Sequence, residues 1–276
     1  MSTVGKFRRK SLYSPVQGLI FLRHEWIWHG IIEYRINGSC DRIQLRITAP
    51  VQYVKMFPTP STTKLDRERV YEPAEDSFLF LDLLQEELPF LQTRFVTANS
   101  PAPLVVELGL GSGIVTTFFH KNILPDALFI GTDINPYACS ISKETSKENG
   151  NTRYFDVLRT NLWDGLRPGL VDILLFNPPY VPDVVLPSIE NAVKTDDWLD
   201  FALLGGPDGM QVTSVVLDRL AEILNPVRGV AYILFCRRNR PFEVAKSMRN
   251  RGWVVDMVDE RKAGWEVLSV WKFTKS

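Results

Sequence analysis

Asn177-Pro178-Pro179-Tyr180 closes the apolar run Val171-Asp172-Ile173-Leu174-Leu175-Phe176, and its residue types suit one task, holding a flat NH2 group. Each proline locks its own φ and pushes the residue before it toward extended geometry, so the carbonyls of this segment point in fixed directions. Prolines donate nothing to a ladder, which places the tetrapeptide at the end of a strand and not inside one. Asn177 brings one acceptor and two donors. Its oxygen and the Pro178 carbonyl can accept from a carboxamide or an exocyclic base amine, while Tyr180 covers a flat face. A Pro-rich turn after a buried strand would account for the prolines alone; the full tetrapeptide after such a strand is more specific.

A second constellation, Glu107-Leu108-Gly109-Leu110-Gly111-Ser112-Gly113, joins an apolar strand to a helix. Its glycines let the backbone turn sharply and approach a ligand, and the helix that follows offers unpaired N–H groups. Such turns serve dinucleotide folds and S-adenosylmethionine folds alike. Glu107 decides between them: its carboxylate can accept from the ammonium of a methionine moiety, whereas it would repel a pyrophosphate at that range. Asp133, ending the next strand, can take both ribose hydroxyls, and Asp133-Ile134-Asn135-Pro136 is equally a good helix entry. Thr160-Asn161-Leu162 follows the third strand, where an amide could meet the adenine amino group or simply make a turn.

These groups need a scaffold, and the pattern of the chain supplies one. Phe78, Leu79, Leu81, Leu84 and Leu88 have helical spacing over residues 77–88, with Glu72, Glu75 and Asp76 at the end where a helix dipole favours acids. A polar loop is expected over 93–103. Strands are then expected at 104–108, 127–132, 153–158, 171–176 and 229–235. Helices are expected to about 121, from Pro136 to the Asn149-Gly150 stop, over 210–224 and over 241–251. Alternation of this kind means βαβ units and a mostly parallel sheet. Two last strands, 253–259 and 266–273, have no helix between them and should form an antiparallel pair at an edge. Val212, Val215, Val216 and Leu220 read as the core face of their helix, and His120 as a helix residue without a chemical role. Trp198 and Phe201, in the loop after Tyr180, could line a substrate cleft, with packing of the loop the simpler reading.

With 276 residues the chain can bury a sizeable core. Its three cysteines, Cys40, Cys139 and Cys236, form no close pair, so neither a disulfide framework nor a metal site is indicated. No apolar run approaches the roughly 18 residues of a membrane span, and a soluble protein is expected. The net charge of zero conceals an asymmetry: residues 1–55 hold nine Lys or Arg against three acids, and residues 56–276 hold 23 against 29. An acidic body argues against general nucleic-acid binding, which needs a basic stripe.

Residues 1–55 form a basic N-terminal extension with four competing readings. Phe7-Arg8-Arg9-Lys10 before Gly18-Leu19-Ile20-Phe21-Leu22 could be a targeting stretch. The alternation Ile43-Gln44-Leu45-Arg46-Ile47 suits a strand-rich appendage. The segment could be disordered, or untranslated with Met56 as the start. A disordered or untranslated extension is the expectation. Residues 56–276 form the main domain, expected in the cytoplasm and also the nucleus, with mitochondrial targeting as an alternative.

The motifs together carry a resemblance. The chain resembles the HemK-type class I methyltransferases, and within them the eukaryotic branch that methylates a glutamine of the class I peptide release factor. NPPY is shared with DNA adenine methyltransferases and cannot decide alone. The decisive stretch is Val70-Tyr71-Glu72-Pro73-Ala74-Glu75-Asp76-Ser77-Phe78; bacterial and organellar relatives carry an Arg-Pro-Glu-Thr-Glu-like sequence there. The glycine turn at 107–113, Thr132-Asp133-Ile134-Asn135-Pro136, residues 176–181, Gly205-Gly206-Pro207-Asp208-Gly209 and Leu268-Ser269-Val270-Trp271-Lys272-Phe273 also fit. The match runs from about residue 58 to the C-terminus.

The resemblance implies an α/β fold, a seven-stranded Rossmann-like class I methyltransferase sheet, mostly parallel with an antiparallel C-terminal hairpin. It implies S-adenosylmethionine as cofactor and no metal. Tyr71, Glu75 and Ser77 would close over the cofactor, and Glu107, Gly109, Gly111 and Gly113 would hold its methionine part. Asp133 with Ile134 would take the ribose, and Asn161 with Leu162 the adenine. Asn161 departs from the aspartate common at that place; an amide oxygen can serve if its neighbours orient it. Asn177 would touch both cofactor and substrate, and Asn177, Pro178, Pro179 and Tyr180 would hold the target amide. The family also implies a small zinc-binding activator subunit that forms a heterodimer along the sheet edge near 153–158. An exposed apolar edge strand is consistent with that need.

The expected reaction is methyl transfer to the side-chain amide of a glutamine in the Gly-Gly-Gln loop of the release factor. Three rivals remain. Adenine methylation needs a flipped base in the same slot, against which stand the acidic body and the lack of a target-recognition domain. Lysine methylation, on a histone for example, is kept open by Asp196, Asp197 and Asp200. A non-catalytic binding module conflicts with intact Glu107, Asp133 and NPPY.

Overall fold

A computed structural model describes residues 57–275 apart from 98, 99 and 152, together with the backbone of four strands nearer the N-terminus. The chain divides into two compact units, Met1–Pro58 and Thr59–Ser276. In the first, β1 (Pro15–Leu22), β2 (Trp26–Arg35), β3 (Gln44–Ile47) and β4 (Gln52–Lys55) form an antiparallel sheet in which β2 pairs with each of the others. The Arg-rich stretch at 7–10 and Cys40 lie outside the described residues.

The second unit opens with α1 (Glu75–Glu86) and α2 (Leu88–Phe95), then alternates β5 (Leu104–Leu108), α3 (Ile114–Asn122), β6 (Leu128–Asp133), α4 (Pro136–Glu148), β7 (Phe155–Arg159) and β8 (Ile173–Phe176). The short helices α5 (Ile189–Thr195) and α6 (Asp200–Leu203) precede α7 (Gln211–Ile223) and β9 (Val230–Cys236). A 3-10 turn (Arg237–Asn239), α8 (Pro241–Asn250), β10 (Trp253–Ala263) and β11 (Glu266–Lys275) complete it. These strands form one seven-stranded sheet in the order β10-β11-β9-β8-β5-β6-β7. The pairs β5–β6, β6–β7, β5–β8 and β8–β9 are parallel, and β9–β11 and β10–β11 antiparallel. The chain leaves β5 toward β6 on one side and returns to place β8 on the other. That reversal opens a crevice beyond the carboxyl ends of β5 and β8, where ligands bind in such sheets.

All of β8 and all of β9 are buried, as central strands covered on both faces must be. Val106, Leu108, Leu174, Phe176, Phe235 and Phe273 pack there with Val216 and Leu220 of α7, each buried side chain contributing about 1.5–3 kcal/mol.

Three expectations need correction. The polar loop expected from residue 93 begins later, because Pro89 starts a further helix, α2, in the first-turn position where its missing N–H costs nothing. The long loop after Tyr180 contains α5 and α6. Val215 is 49% exposed, and the inward face of α7 is set instead by Thr213, Val216, Leu217, Leu220 and Ile223, the spacing a straight helix keeps toward one side.

Candidate active site

The glycine turn leaves β5 and is tied to β6 by hydrogen bonds from the Gly109 and Leu110 amides to the Thr132 carbonyl, at 2.8 and 3.1 Å. Two of its glycines serve different ends. Gly111 has φ +50, and a Cβ added there would meet nothing within 4 Å, so the backbone lies open to the cavity beside it. Gly113, φ +74, caps α3, and a Cβ there would stand 2.6 Å from Ser142 Cβ on α4. Gly113 makes room for the packing of α3 on α4 and lies off the cavity lining.

Glu107 is 5% exposed. Its Oε2 accepts from the Thr116 amide at 2.8 Å and from the Thr116 hydroxyl, so it also satisfies a first-turn N–H of α3. Burial pushes its pKa up to about 8, against the lowering effect of Thr116 and with a further push from Asp133. Asp133 accepts at Oδ2 from the Gly111 amide at 3.0 Å and at Oδ1 from the Asn135 amide at 2.8 Å. Burial raises its pKa while those backbone donors and that of Ile134 lower it. Asn135 caps α4, accepting from the Tyr137 amide, and donates to the Arg69 carbonyl at 2.7 Å. Leu162 takes the left-handed φ of +50, a strained conformation for a leucine that functional loops retain.

At the end of β8, Asn177 donates through Nδ2 to Asp76 Oδ2 at 3.1 Å. Its Oδ1 is buried with no hydrogen-bond partner among the described residues. Asp76, 4% exposed, accepts at Oδ1 from the Ser77 amide at 2.6 Å and the Ser77 hydroxyl at 3.3 Å. The prolines are held from behind by the turn 205–209. A side chain at Gly205 would collide with the Pro179 carbonyl, and one at Gly209 with the Tyr180 carbonyl. Asn239, 4% exposed, donates to the carbonyls of Tyr180 at 3.2 Å and Asp208 at 3.1 Å while accepting from the Cys236 amide at 2.8 Å. The Tyr180 hydroxyl is held far from ionisation by burial and by the charges of Asp76 and Glu266; the same causes push Tyr71 up to about 12.

A cavity of about 340 Å³ joins these groups. Glu107, Gly109, Gly111, Asp133 and Ile134 form one wall, and Asn161 and Leu162 lie beside them. Tyr71, Ser77, Asn177 and Pro179 line the rest, with Asp76 added. Four expected site residues lie off the lining. Glu75 faces Arg261 of β10 at 3.8 Å, Gly113 packs on Ser142, Pro178 is buried, and Tyr180 is half-buried among Tyr71, Asp76 and Glu266. Trp198 and Phe201 both line the cavity, their rings 5.8 Å apart, and Trp198 is also buried in the packing of the loop. Asp196 is paired with Arg69 at 2.7 Å, and none of Asp196, Asp197 and Asp200 lines the cavity. His120 is buried on α3 and stacked on Phe129 at 4.5 Å, with burial lowering its pKa.

The chemistry of the cavity fits S-adenosylmethionine. Gly109 and Gly111 leave backbone open where a Cβ would otherwise intrude, Glu107 offers a carboxylate to an ammonium, and Asp133 stands at the end of β6 for hydroxyls. Sequence reading missed Asp76 and Asn239. Asp76 was visible only as a helix-dipole acid, and nothing in the chain connects Asn239 to Tyr180.

Comparison with known proteins agrees. The family model described as the methyltransferase small domain matches residues 90–190. The eRF1 methyltransferase catalytic subunit mtq2 of Schizosaccharomyces pombe is 36% identical over 228 residues, 78% of this chain and 94% of that protein. Methyltransferase HEMK2 of Homo sapiens is 38% identical over 210 residues, 75% of this chain and 90% of that protein. Among solved structures, the E. cuniculi Mtq2-Trm112 complex, responsible for methylating the eRF1 translation termination factor, matches with TM-score 0.53 and 25% identity, over 75% of this chain and 99% of that one.

Proposed function

We propose that this chain, which belongs to the family of the eRF1 methyltransferase catalytic subunit mtq2 and HEMK2, methylates the side-chain amide of a glutamine in the Gly-Gly-Gln loop of a class I release factor. The chain is a methyltransferase, with S-adenosylmethionine as methyl donor. The relatives that act on eRF1 carry the substrate reading, and the buried, unpartnered Oδ1 of Asn177, a residue of the cavity wall, supports an N–H donor as the guest. A buried acceptor left without a partner costs about 1–3 kcal/mol, and an incoming N–H relieves it.

S-adenosylmethionine, when bound, supplies an electrophilic methyl group. Glu107 and the open backbone at Gly109 and Gly111 would hold its amino-acid part, Asp133 with Ile134 its ribose, and Asn161 with Leu162 its adenine. Asn177 Oδ1 accepts one N–H of the target amide and fixes the plane of the nitrogen, a weak nucleophile because its lone pair is delocalised. Positioning therefore provides most of the rate, and the acceptor also stabilises positive charge developing on nitrogen. The N–C bond would form as the methyl–sulfur bond breaks, leaving a neutral thioether, and the nitrogen would release one proton to solvent. Trp198 and Phe201 restrict water. The loop acids Asp196, Asp197 and Asp200 lie off the cavity, which removes the observation that favoured lysine.

The reading extends to a partner. β7 is the last strand of its sheet, with Tyr154 beside it 54% exposed and Leu158 on it 37% exposed. That edge is suited to a small zinc-binding activator subunit adding backbone hydrogen bonds. A cytoplasmic enzyme, also present in the nucleus, would meet a release factor. Labelled S-adenosylmethionine mixed with the chain, with and without activator, and with release factor, a lysine peptide or DNA tests the assignment. Label on the release factor, lost when its Gly-Gly-Gln glutamine is replaced, is expected; label on lysine or DNA with none on the factor overturns it.

A further inference from the structure

We infer that Asp76 is the positioning residue that turns Asn177 into an acceptor, and thereby sets the slot to select N–H donors over groups that only accept. The inference rests on the amide-transfer reading of the site. A free asparagine can present either its oxygen or its NH2 to a guest. Here Asp76 removes the choice. Its Oδ2 takes the Asn177 NH2 at 3.1 Å, so the carboxamide oxygen is the end left over, and that oxygen is the buried atom without a partner. Asp76 is itself held, because its Oδ1 accepts from the Ser77 amide at 2.6 Å and the Ser77 hydroxyl at 3.3 Å.

Only a carboxylate meets both demands. An asparagine at 76 has one acceptor. If that oxygen takes the Ser77 N–H, its NH2 faces the Asn177 NH2, and Asn177 must turn its own NH2 toward the substrate. The opposite orientation leaves the Ser77 N–H facing a donor. Either way one buried donor goes unmatched. The arrangement can be rebuilt with the partners exchanged. In the D76N/N177D double variant, Asn at 76 accepts from Ser77 and donates to Asp at 177, whose second oxygen is again the acceptor left over. The hydrogen bonds are restored with the same total charge.

The experiment compares wild type, D76N, N177D and D76N/N177D in single-turnover methyl transfer to the release factor, with cofactor affinity measured by calorimetry. D76N is expected to lower transfer about 100-fold with cofactor affinity within about threefold. The double variant is expected to exceed either single variant by about tenfold or more. A merely structural role for Asp76 would make the two losses accumulate. Transfer by D76N within about threefold of wild type, or a double variant no better than D76N, overturns the inference. A readout independent of substrate accompanies it: the Asn177 side-chain NH2 should exchange slowly with solvent in wild type and at least about tenfold faster in D76A, whereas equal rates count against Asp76. If wild type leaves the release factor unmethylated, the proposed function fails, and the exchange rates still decide the role of Asp76.

Discussion

Strand β8 is flanked by a buried polar residue before it and a half-buried one after it, and the fold treats the two in opposite ways. Asp172, just before its first residue, accepts from Arg228 at 2.9 and 2.7 Å and from the Leu104 amide at 3.0 Å. Asn177, just after its last, has its NH2 bound and its oxygen left over. The same contrast extends sideways. Glu87 accepts from Tyr232 at 2.6 Å and from Lys272 at 2.9 Å, a closed network joining α2 to β9 and β11. Glu107, at the carboxyl end of β5, has a pKa pushed up to about 8. Satisfied, these polar groups serve the fold; the oxygen left over at Asn177 belongs to a residue that lines the cavity, where a guest can use it.

Breaking the comparison at its open end should have the largest effect. Asn177→Ala is expected to reduce single-turnover transfer by about 1000-fold while moving stability by less than about 1 kcal/mol and cofactor affinity by less than about threefold. Retained transfer would mean that the unpartnered oxygen is idle. At the closed end the consequences should reverse. Arg228→Ala leaves Asp172 buried and unpaired, and urea denaturation should show a loss of about 3 kcal/mol, the low end for a broken buried pair because Arg228 is 21% exposed. Activity per folded molecule should be unchanged.

The glycine turn gives a smaller version of the same test within three residues. Gly113→Ala should cost about 2 kcal/mol, from left-handed backbone and collision with Ser142. Gly111→Ala should cost about 1 kcal/mol in backbone strain, and its Cβ, entering open space, should weaken cofactor binding more than Gly113→Ala does. Equal cofactor affinities would show that the open backbone is not a binding surface.

At Glu107 the comparison is read through pH. Its folded pKa of about 8 lies above the 4.5 of an ordinary glutamate, so the folded protein holds a proton that the unfolded chain releases. The stability from this group is complete below pH 4.5 and is lost as pH rises toward 8, by at most about 1.4 kcal/mol per unit. Glu107→Gln should flatten that slope. In wild type, cofactor affinity should rise between pH 6 and 8, because a cofactor ammonium favours the ionised carboxylate. A cofactor affinity independent of pH in wild type would separate Glu107 from that ammonium.

The open end was more legible in the sequence than the closed one. Glycines, a strand-terminal acid and paired prolines are punctuation that backbone chemistry explains locally, so Gly109, Gly111, Asp133 and Asn177 could be placed on the right turns before any coordinates. The antiparallel β10–β11 pair followed from the lack of a helix between two apolar runs. What escaped depended on contacts remote in sequence. Asp76 and Asn177 are 101 residues apart, and no local pattern says that one aims the other. The turn 205–209 could be matched to a family motif without showing that its glycines make room for the Pro179 and Tyr180 carbonyls. Glu75 and Gly113 stand beside residues that line the cavity, yet one faces Arg261 and the other packs against Ser142.

The central claim is that the slot at Asn177 accepts and does not donate. It is tested most directly by measuring the affinity of the enzyme, loaded with the demethylated cofactor product, for release factor carrying glutamine or glutamate at the target position. The two side chains have nearly the same shape and differ in whether they offer an N–H. Binding weakened by about 100-fold or more for glutamate is expected, since two buried acceptors would face each other. Equal affinity would contradict the account.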